Sequence, residues 1–97
     1  KLSEDLVVVD KVIEDISALD QVTWFNPDNP PTCRAIIEHC KRINSADLNY
    51  PIILSEDGRV FDGMHRIARA KMNGAETIKA KQFPKNPEPD EISYYED

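Results

Sequence analysis

The sequence predicts a small α+β domain in which a mixed sheet packs with two main helices. Short β-branched runs alternate with two amphipathic stretches, and Asp-Gly and Asn-Gly pairs separate them. A chain of 97 residues can bury one modest core, and its 40% hydrophobic and 31% charged fractions are typical of a globular domain. We expect one domain over residues 1–83, followed by an acidic, proline-rich, flexible tail over residues 84–97.

The first half of the chain is expected to form one strand and one helix. The β-branched run that starts at Leu6 favours a strand to about Val12, although its apolar spacing also fits a helix. Residues 26–31 read NPDNPP, which is too rich in proline for a helix or a central strand. A helix is then expected from an N-cap at Thr32 to about Ser45. Its apolar stripe consists of Cys33, Ile36, Ile37, Cys40 and Ile43.

The second half is expected to form a hairpin, a helix and a closing strand. Residues 51–54 are a short apolar run, residues 55–58 have the composition of a hairpin turn, and residues 59–61 are the return strand. A helix is expected over residues 63–73, because Asn73-Gly74 is a conventional stop. A last strand is expected over residues 77–83.

The junction between the return strand and this second helix is the main candidate site. Asp62 is expected to cap the helix, and Gly63 supplies the backbone angle that the corner requires. His65 and Arg66 follow directly, although the positive end of a helix dipole favours acidic residues. An anion bound by the first N–H groups and by Arg66 would remove that conflict. Two structural alternatives stay open: Arg66 reaching back to Asp62, and His65 being an ordinary half-buried histidine.

Two further places carry candidate binding residues with alternative explanations. Thr32 and Arg34 bring a hydroxyl and a guanidinium to the start of the first helix, which is a second candidate anion contact. Capping and solvent exposure explain these two residues equally well. Trp24-Phe25 is the largest apolar pair, and we favour a packing anchor over a platform that stacks bases.

The distribution of charge favours a small anionic ligand. Residues 59–81 hold six basic and two acidic residues, a net charge of +4. The whole chain has a net charge of −6, so the remaining residues together carry −10. Direct DNA binding is disfavoured because most of the surface would repel phosphates. No apolar run approaches the roughly 20 residues that cross a bilayer, and we expect a cytoplasmic protein without a membrane partner.

Cys33 and Cys40 are expected to be reduced core residues. They lie seven positions apart on one predicted helix, about 10.5 Å at 1.5 Å per residue, which exceeds the span of a disulfide. His39 does not complete a metal-ligand pattern with them, so the sequence argues against a zinc site.

The order of elements and the motif Asp-Gly-Met-His-Arg at residues 62–66 resemble the ParB/sulfiredoxin superfamily. The resemblance covers residues 7–83 in element order and is specific over residues 51–83. It implies a compact α+β fold whose corner before the second helix holds nucleotide phosphates. Sulfiredoxins carry their reactive cysteine where this chain has Met64, which excludes sulfiredoxin chemistry. The Asp-Gly-His-His-Arg run of related free-serine kinases is matched at Asp62, His65 and Arg66.

Partition proteins of the superfamily bind CTP through a Gly-Glu-Arg-Arg-like run and read DNA with a further domain, and this chain has neither. It is most similar to small, stand-alone ParB-like proteins.

The leading hypothesis is a nucleotide-binding domain, for ATP, ADP or CTP, that transfers a phosphoryl group to a small hydroxyl substrate or hydrolyses the nucleotide with Mg²⁺. Asp62 is the candidate catalytic residue, and the candidate phosphate-binding residues are Gly63, Met64, His65, Arg66, Arg69, Thr32 and Arg34. No resident metal is expected.

The alternative hypothesis is a non-catalytic, nucleotide-responsive module that contacts a protein partner. The acidic tail and the Trp24-Phe25 segment are its candidate contact surfaces.

Overall fold

The computed structural model describes residues 6–83, in which four strands form one mixed sheet and two α-helices pack with it. The predicted tail over residues 84–97 lies outside the described residues. Two 3₁₀ turns, Ile13–Asp15 and Ser17–Asp20, follow the first strand. The main elements are β1 (Val9–Val12), α1 (Cys33–Ser45), β2 (Ile52–Leu54), β3 (Val60–Asp62), α2 (Met64–Met72) and β4 (Thr77–Gln82).

The sheet order is β1-β4-β2-β3, so the last strand in the sequence lies inside the sheet. β1 and β3 pair with their neighbours in antiparallel fashion, whereas β2 and β4 are parallel, with Ile52 opposite Ala80. A parallel pair requires a long crossover connection, and β3 with α2 supplies it here. This topology places Asp62 at the end of an edge strand, opposite Ile53 of the buried strand β2.

The core lies between the sheet, α2 and the 3₁₀ turns. Every residue of β2 is buried, as expected for a strand covered on both faces. The predicted α+β class is confirmed, and the described elements begin and end within a few residues of their predicted bounds. The buried cluster consists of Ile13, Ile16, Ile52, Leu54, Ile67, Ala70, Ile78 and Ala80.

Helix α1 has the predicted bounds, but its predicted core stripe is wrong. The Ala35 N–H donates to the Thr32 hydroxyl at 3.1 Å, which confirms the N-cap. However, no residue of α1 is buried, and Ile36 and Ile37 remain 47% and 49% exposed. The half-buried residues Ala35, His39 and Ile43 follow one i, i+4 row instead. α1 therefore packs beside α2 along a row offset from its most apolar face.

The core assignment of the two cysteines is wrong for the same reason. Cys33 and Cys40 are both free and exposed on α1. We expect both thiols to react with a thiol reagent such as DTNB while the protein stays folded. Substituting Cys40→Ser should change the free energy of unfolding by no more than about 0.5 kcal/mol, the usual range at a surface position. Labelling that occurs only after global unfolding would restore the buried assignment.

Helix α2 ends in a complete Schellman motif, as Asn73-Gly74 predicted. The Gly74 N–H donates to the Lys71 carbonyl and the Ala75 N–H donates to the Ala70 carbonyl, both at 3.0 Å. Gly74 has φ 80°, in the left-handed region that this motif requires. Over residues 6–83, neither helix has the length and apolar content that crossing a bilayer demands.

Candidate functional site

The candidate site is built on the corner between β3 and α2. β3 ends at Asp62, Gly63 follows with φ 114°, and α2 begins at Met64. A Cβ on Gly63 would lie 2.5 Å from Cγ2 of Ile52, which is closer than side-chain atoms can approach. Gly63 therefore serves two purposes, a left-handed turn and the close approach of the corner to β2.

Asp62 lies one residue before the N-cap position that it was expected to occupy. It belongs to β3, and the N-cap position of α2 is Gly63. Oδ2 of Asp62 accepts a hydrogen bond from Nη2 of Arg66 at 2.7 Å. The side chains of Arg66 and Asp62 are only 8% and 7% exposed, so this is a buried ion pair between residues four positions apart in the sequence.

The guanidinium of Arg66 makes further contacts with the main chain. Its Nη1 donates to the carbonyl of Pro51 at 2.8 Å and to the carbonyl of Tyr50 at 3.2 Å. These bonds connect α2 to the segment that enters β2, while the bond to Asp62 connects it to β3. The structural alternative for Arg66, pairing with Asp62, is therefore the arrangement observed. In this arrangement the guanidinium holds the corner together.

His65 lies in an aromatic cluster with residues from two other parts of the chain. Nδ1 of His39 on α1 lies 2.8 Å from Nε2 of His65, and the two ring centroids are 5.0 Å apart with an angle of 14° between the planes. The distance between the centroids is longer than the N···N distance by about the radii of the two rings. The two imidazoles therefore meet edge to edge, and their planes are nearly the same. Trp24 covers both rings, at centroid distances of 4.5 and 4.4 Å, and Phe25 contacts His39 edge-on at 5.4 Å.

This cluster fixes the position of α1 against the start of α2. His65 is buried and Trp24 is half-buried, so the packing interpretation of Trp24-Phe25 is the one observed. One imidazole must donate and the other accept, so at least one ring of the pair is neutral while the N···N bond exists. Desolvation, followed by the charges of His65 and Arg42, lowers the pKa of His39 from its usual value.

The lowered pKa of His39 has a predictable effect on stability. The unfolded chain binds a proton at His39 near pH 6.5, whereas the folded chain does so only at lower pH. The stabilisation that His39 contributes is therefore fully present above about pH 6.5. It is lost as the pH falls from there through the lower pKa of the folded chain. We expect the free energy of unfolding to drop between about pH 7.5 and about pH 5.5, and to drop less in His39→Gln. Denaturant titrations at the two pH values measure both slopes, and equal slopes would remove His39 as the cause.

The other predicted site residues lie around the corner and at the start of α1. Met64 is half-buried and packs against the core, and Arg69 donates through Nη1 to the carbonyl of Asn44. Thr32 is the N-cap of α1, and Arg34 is exposed beside it. The structure thus unites Asp62, Gly63 and Arg66 in one corner and joins His65 to Trp24 and His39. The predicted site lacked these last two residues.

The sequence contains only part of the information needed to add His39 and Trp24 to the predicted site. The chain has two histidines, and each lies on a helix with an apolar stripe, but their 26-residue separation gives no hint that they meet.

Within residues 6–83 the structure holds no group of three side chains suited to a metal ion. A pocket of about 420 Å³ lies at the opposite end of α2, lined in part by Lys71, Gly74 and Thr77. It does not involve the candidate corner.

Comparison with known proteins adds no relative. No family model matches the chain, and no curated protein and no solved structure matches it either. The resemblance to the ParB/sulfiredoxin superfamily therefore stays a prediction from the sequence.

Proposed function

We propose that the protein binds the phosphate groups of a nucleotide at the corner between β3 and α2. The observation that carries this proposal is the strand–glycine–helix junction, in which Gly63 adopts a left-handed conformation against Ile52 and α2 begins at once. Its first turn contains His65 and Arg66 and none of the 18 acidic residues of the chain. A helix start that lacks acidic side chains is suited to an external anion.

The main chain, rather than the side chain of Arg66, is the contact in this proposal. The N–H groups at the start of an α-helix point toward a bound anion, and together with the helix dipole they favour phosphate oxygens. Arg66 is engaged with Asp62 and two carbonyls, so its role is to hold the corner in a binding geometry. Arg69 lies later in α2, and Thr32 and Arg34 lie at the start of α1, so direct contact of these three residues with the phosphates stays a prediction.

Phosphoryl transfer is an extension of this proposal. A nucleotide such as ATP or ADP would supply the phosphoryl group, and its phosphates would provide most ligands of a Mg²⁺ ion, since Mg²⁺ sites often use only one or two protein carboxylates. Asp62 is the carboxylate of the corner and would hold the metal or accept the proton of a hydroxyl substrate. Either role requires Asp62 to exchange its bond with Arg66, so nucleotide binding comes first in our proposal.

A second candidate function is the nucleotide-responsive interaction module. The observation that favours it is the exposed apolar face of α1, on which Ile36 and Ile37 remain about half exposed. Both functions share the phosphate site and differ in whether turnover follows binding.

The matched variants Met64→Glu and Met64→Gln test the phosphate site. The two side chains have nearly the same size, and only Glu places a negative charge at the first position of α2. Two unit charges about 4 Å apart repel by about 1 kcal/mol in water and about 4 kcal/mol near a protein surface. We expect Met64→Gln to bind as the wild type does, and Met64→Glu to bind at least about tenfold more weakly. Isothermal titration with ATP, ADP, CTP and inorganic phosphate, each with Mg²⁺, measures this difference.

The control for folding is the ligand-free melting temperature of the two variants. Met64→Glu should melt at or above Met64→Gln, because a carboxylate at a helix start is stabilising by about 0.3–1 kcal/mol. The charge therefore acts in opposite directions on stability and on binding. Equal affinity in both variants, or no binding of any compound by the wild type, would refute the phosphate site. If the wild type turns over a bound nucleotide and Met64→Glu abolishes that turnover, the protein is an enzyme rather than a non-catalytic module.

A further inference from the structure

The apolar face of α1 is a surface that residues 6–83 leave uncovered. It consists of Cys33, Ile36, Ile37 and Cys40, which follow helical spacing along two turns. Both cysteines are exposed, and the two isoleucines are 47% and 49% exposed. A contiguous apolar face on one helix, unlike scattered apolar residues, indicates a contact surface.

The net charge of α1 selects the chemistry of the segment that binds this face. α1 carries Arg34, Lys41 and Arg42 against Glu38, a net charge of +2 in a chain of −6. A second copy of α1 would bring the same positive charge to the contact. The face of one 13-residue helix is also much smaller than the roughly 800 Å² per partner that stable complexes bury. The face therefore fits a short acidic segment with a few apolar anchors.

We propose that residues 84–97 of the same chain bind this face. This segment has a net charge of −4 and contains the apolar side chains Ile92, Tyr94 and Tyr95 among its carboxylates. The anchors Ile92 to Tyr95 lie 9 to 12 residues after Phe83, a reach of about 30–40 Å at about 3.3 Å each, and the longest dimension of the molecule is 39 Å. The segment that follows β4 is therefore long enough to span most of the molecule.

Attachment to the same chain compensates for the small contact area. A tethered segment faces its site at an effective concentration of the order of millimolar, so an affinity too weak for a free partner suffices. The acidic residues supply an attraction that salt weakens, because Arg34, Lys41 and Arg42 are exposed on α1. This inference does not depend on the phosphate site, which it leaves untouched.

The test uses the full chain and the two exposed thiols as reporters. The variant Ile92→Ser/Tyr94→Ser/Tyr95→Ser removes the anchors, and Ser93→Ala is the matched control within the same stretch. In the wild type, we expect the segment to leave α1 about 10% of the time, and DTNB labels Cys33 and Cys40 only in that open state. The anchor variant is always open, so its labelling rate should be about tenfold higher. Ser93→Ala should leave the rate unchanged. On α1, Lys41→Glu should raise the rate as well. Added NaCl should raise the rate in the wild type and in Ser93→Ala but not in the anchor variant.

Melting temperatures show that each variant is folded before its labelling is compared. A rate that is independent of protein concentration supports contact within one chain. A rate that falls as concentration rises would show that a second copy covers the face and would overturn the proposal. An anchor variant that labels at the wild-type rate would overturn it too.

Discussion

Replacing Arg66 with alanine is expected to lower the free energy of unfolding by about 3–5 kcal/mol, the usual result when one partner of a buried ion pair is removed. The hydrogen bonds of its guanidinium to Asp62, Pro51 and Tyr50 disappear. The carboxylate of Asp62 would remain in the protein with its guanidinium partner gone. Urea titration of the ligand-free protein measures the change.

Arg59→Ala is the matched control for Arg66→Ala. Arg59 also pairs with an aspartate, Asp57, at 3.2 Å, but the two side chains are 70% and 57% exposed. Exposed pairs contribute about 0–1 kcal/mol, so Arg59→Ala should change stability little. The contrast isolates burial as the cause. Equal losses in the two variants would mean that the Arg66 guanidinium turns toward solvent, where it would again be a candidate phosphate ligand.

Gly63→Ala is expected to have the second-largest effect, a loss of about 2–5 kcal/mol. The left-handed backbone costs a residue with a Cβ about 1–2 kcal/mol. The clash with Ile52 adds the about 1–3 kcal/mol typical of overpacked sites, because the obstacle is a branched side chain held in the buried strand β2. Denaturant titration measures the sum.

Gly74→Ala separates these two contributions. Gly74 has φ 80°, and a Cβ there would meet no atom within 4 Å, so only the backbone term applies. The variant should lose about 1–2 kcal/mol, and the excess in Gly63→Ala is the cost of the close approach to β2. If the two glycines cost the same, the corner yields to a methyl group and the approach of β3 to β2 is looser than described.

The elements of this fold were predictable because their signals are local. Thr32 after two prolines marked the start of α1, and Asn73-Gly74 marked the end of α2. The contacts of α1 were not predictable, since periodicity shows that a helix has an apolar face but not what packs against it. The same limit explains the wrong assignment of Cys33 and Cys40.

Within the candidate site, the position of Gly63 followed from the sequence but the partner of Arg66 did not. The spacing of Asp62 and Arg66 allowed an i, i+4 pair, and the first-turn location equally allowed an anion. What selects the pair is the main chain at Tyr50 and Pro51, which offers two carbonyl oxygens to the same guanidinium. Those carbonyls come from a segment 15 and 16 residues away, and their position depends on how β2 is seated in the sheet.

The interior position of β4 has a consequence for synthesis on the ribosome. β4 is the last described strand to be made, yet it lies between β1 and β2 and pairs with both. Until residue 82 has left the exit tunnel, β1 has no partner in the sheet, and the edge of β2 that β4 covers in the finished sheet is open. Pairing between β1 and β4 also closes a loop of more than 60 residues, which is slow to form. The domain therefore completes its sheet only after its final strand is translated, and the nascent chain exposes strand edges until then.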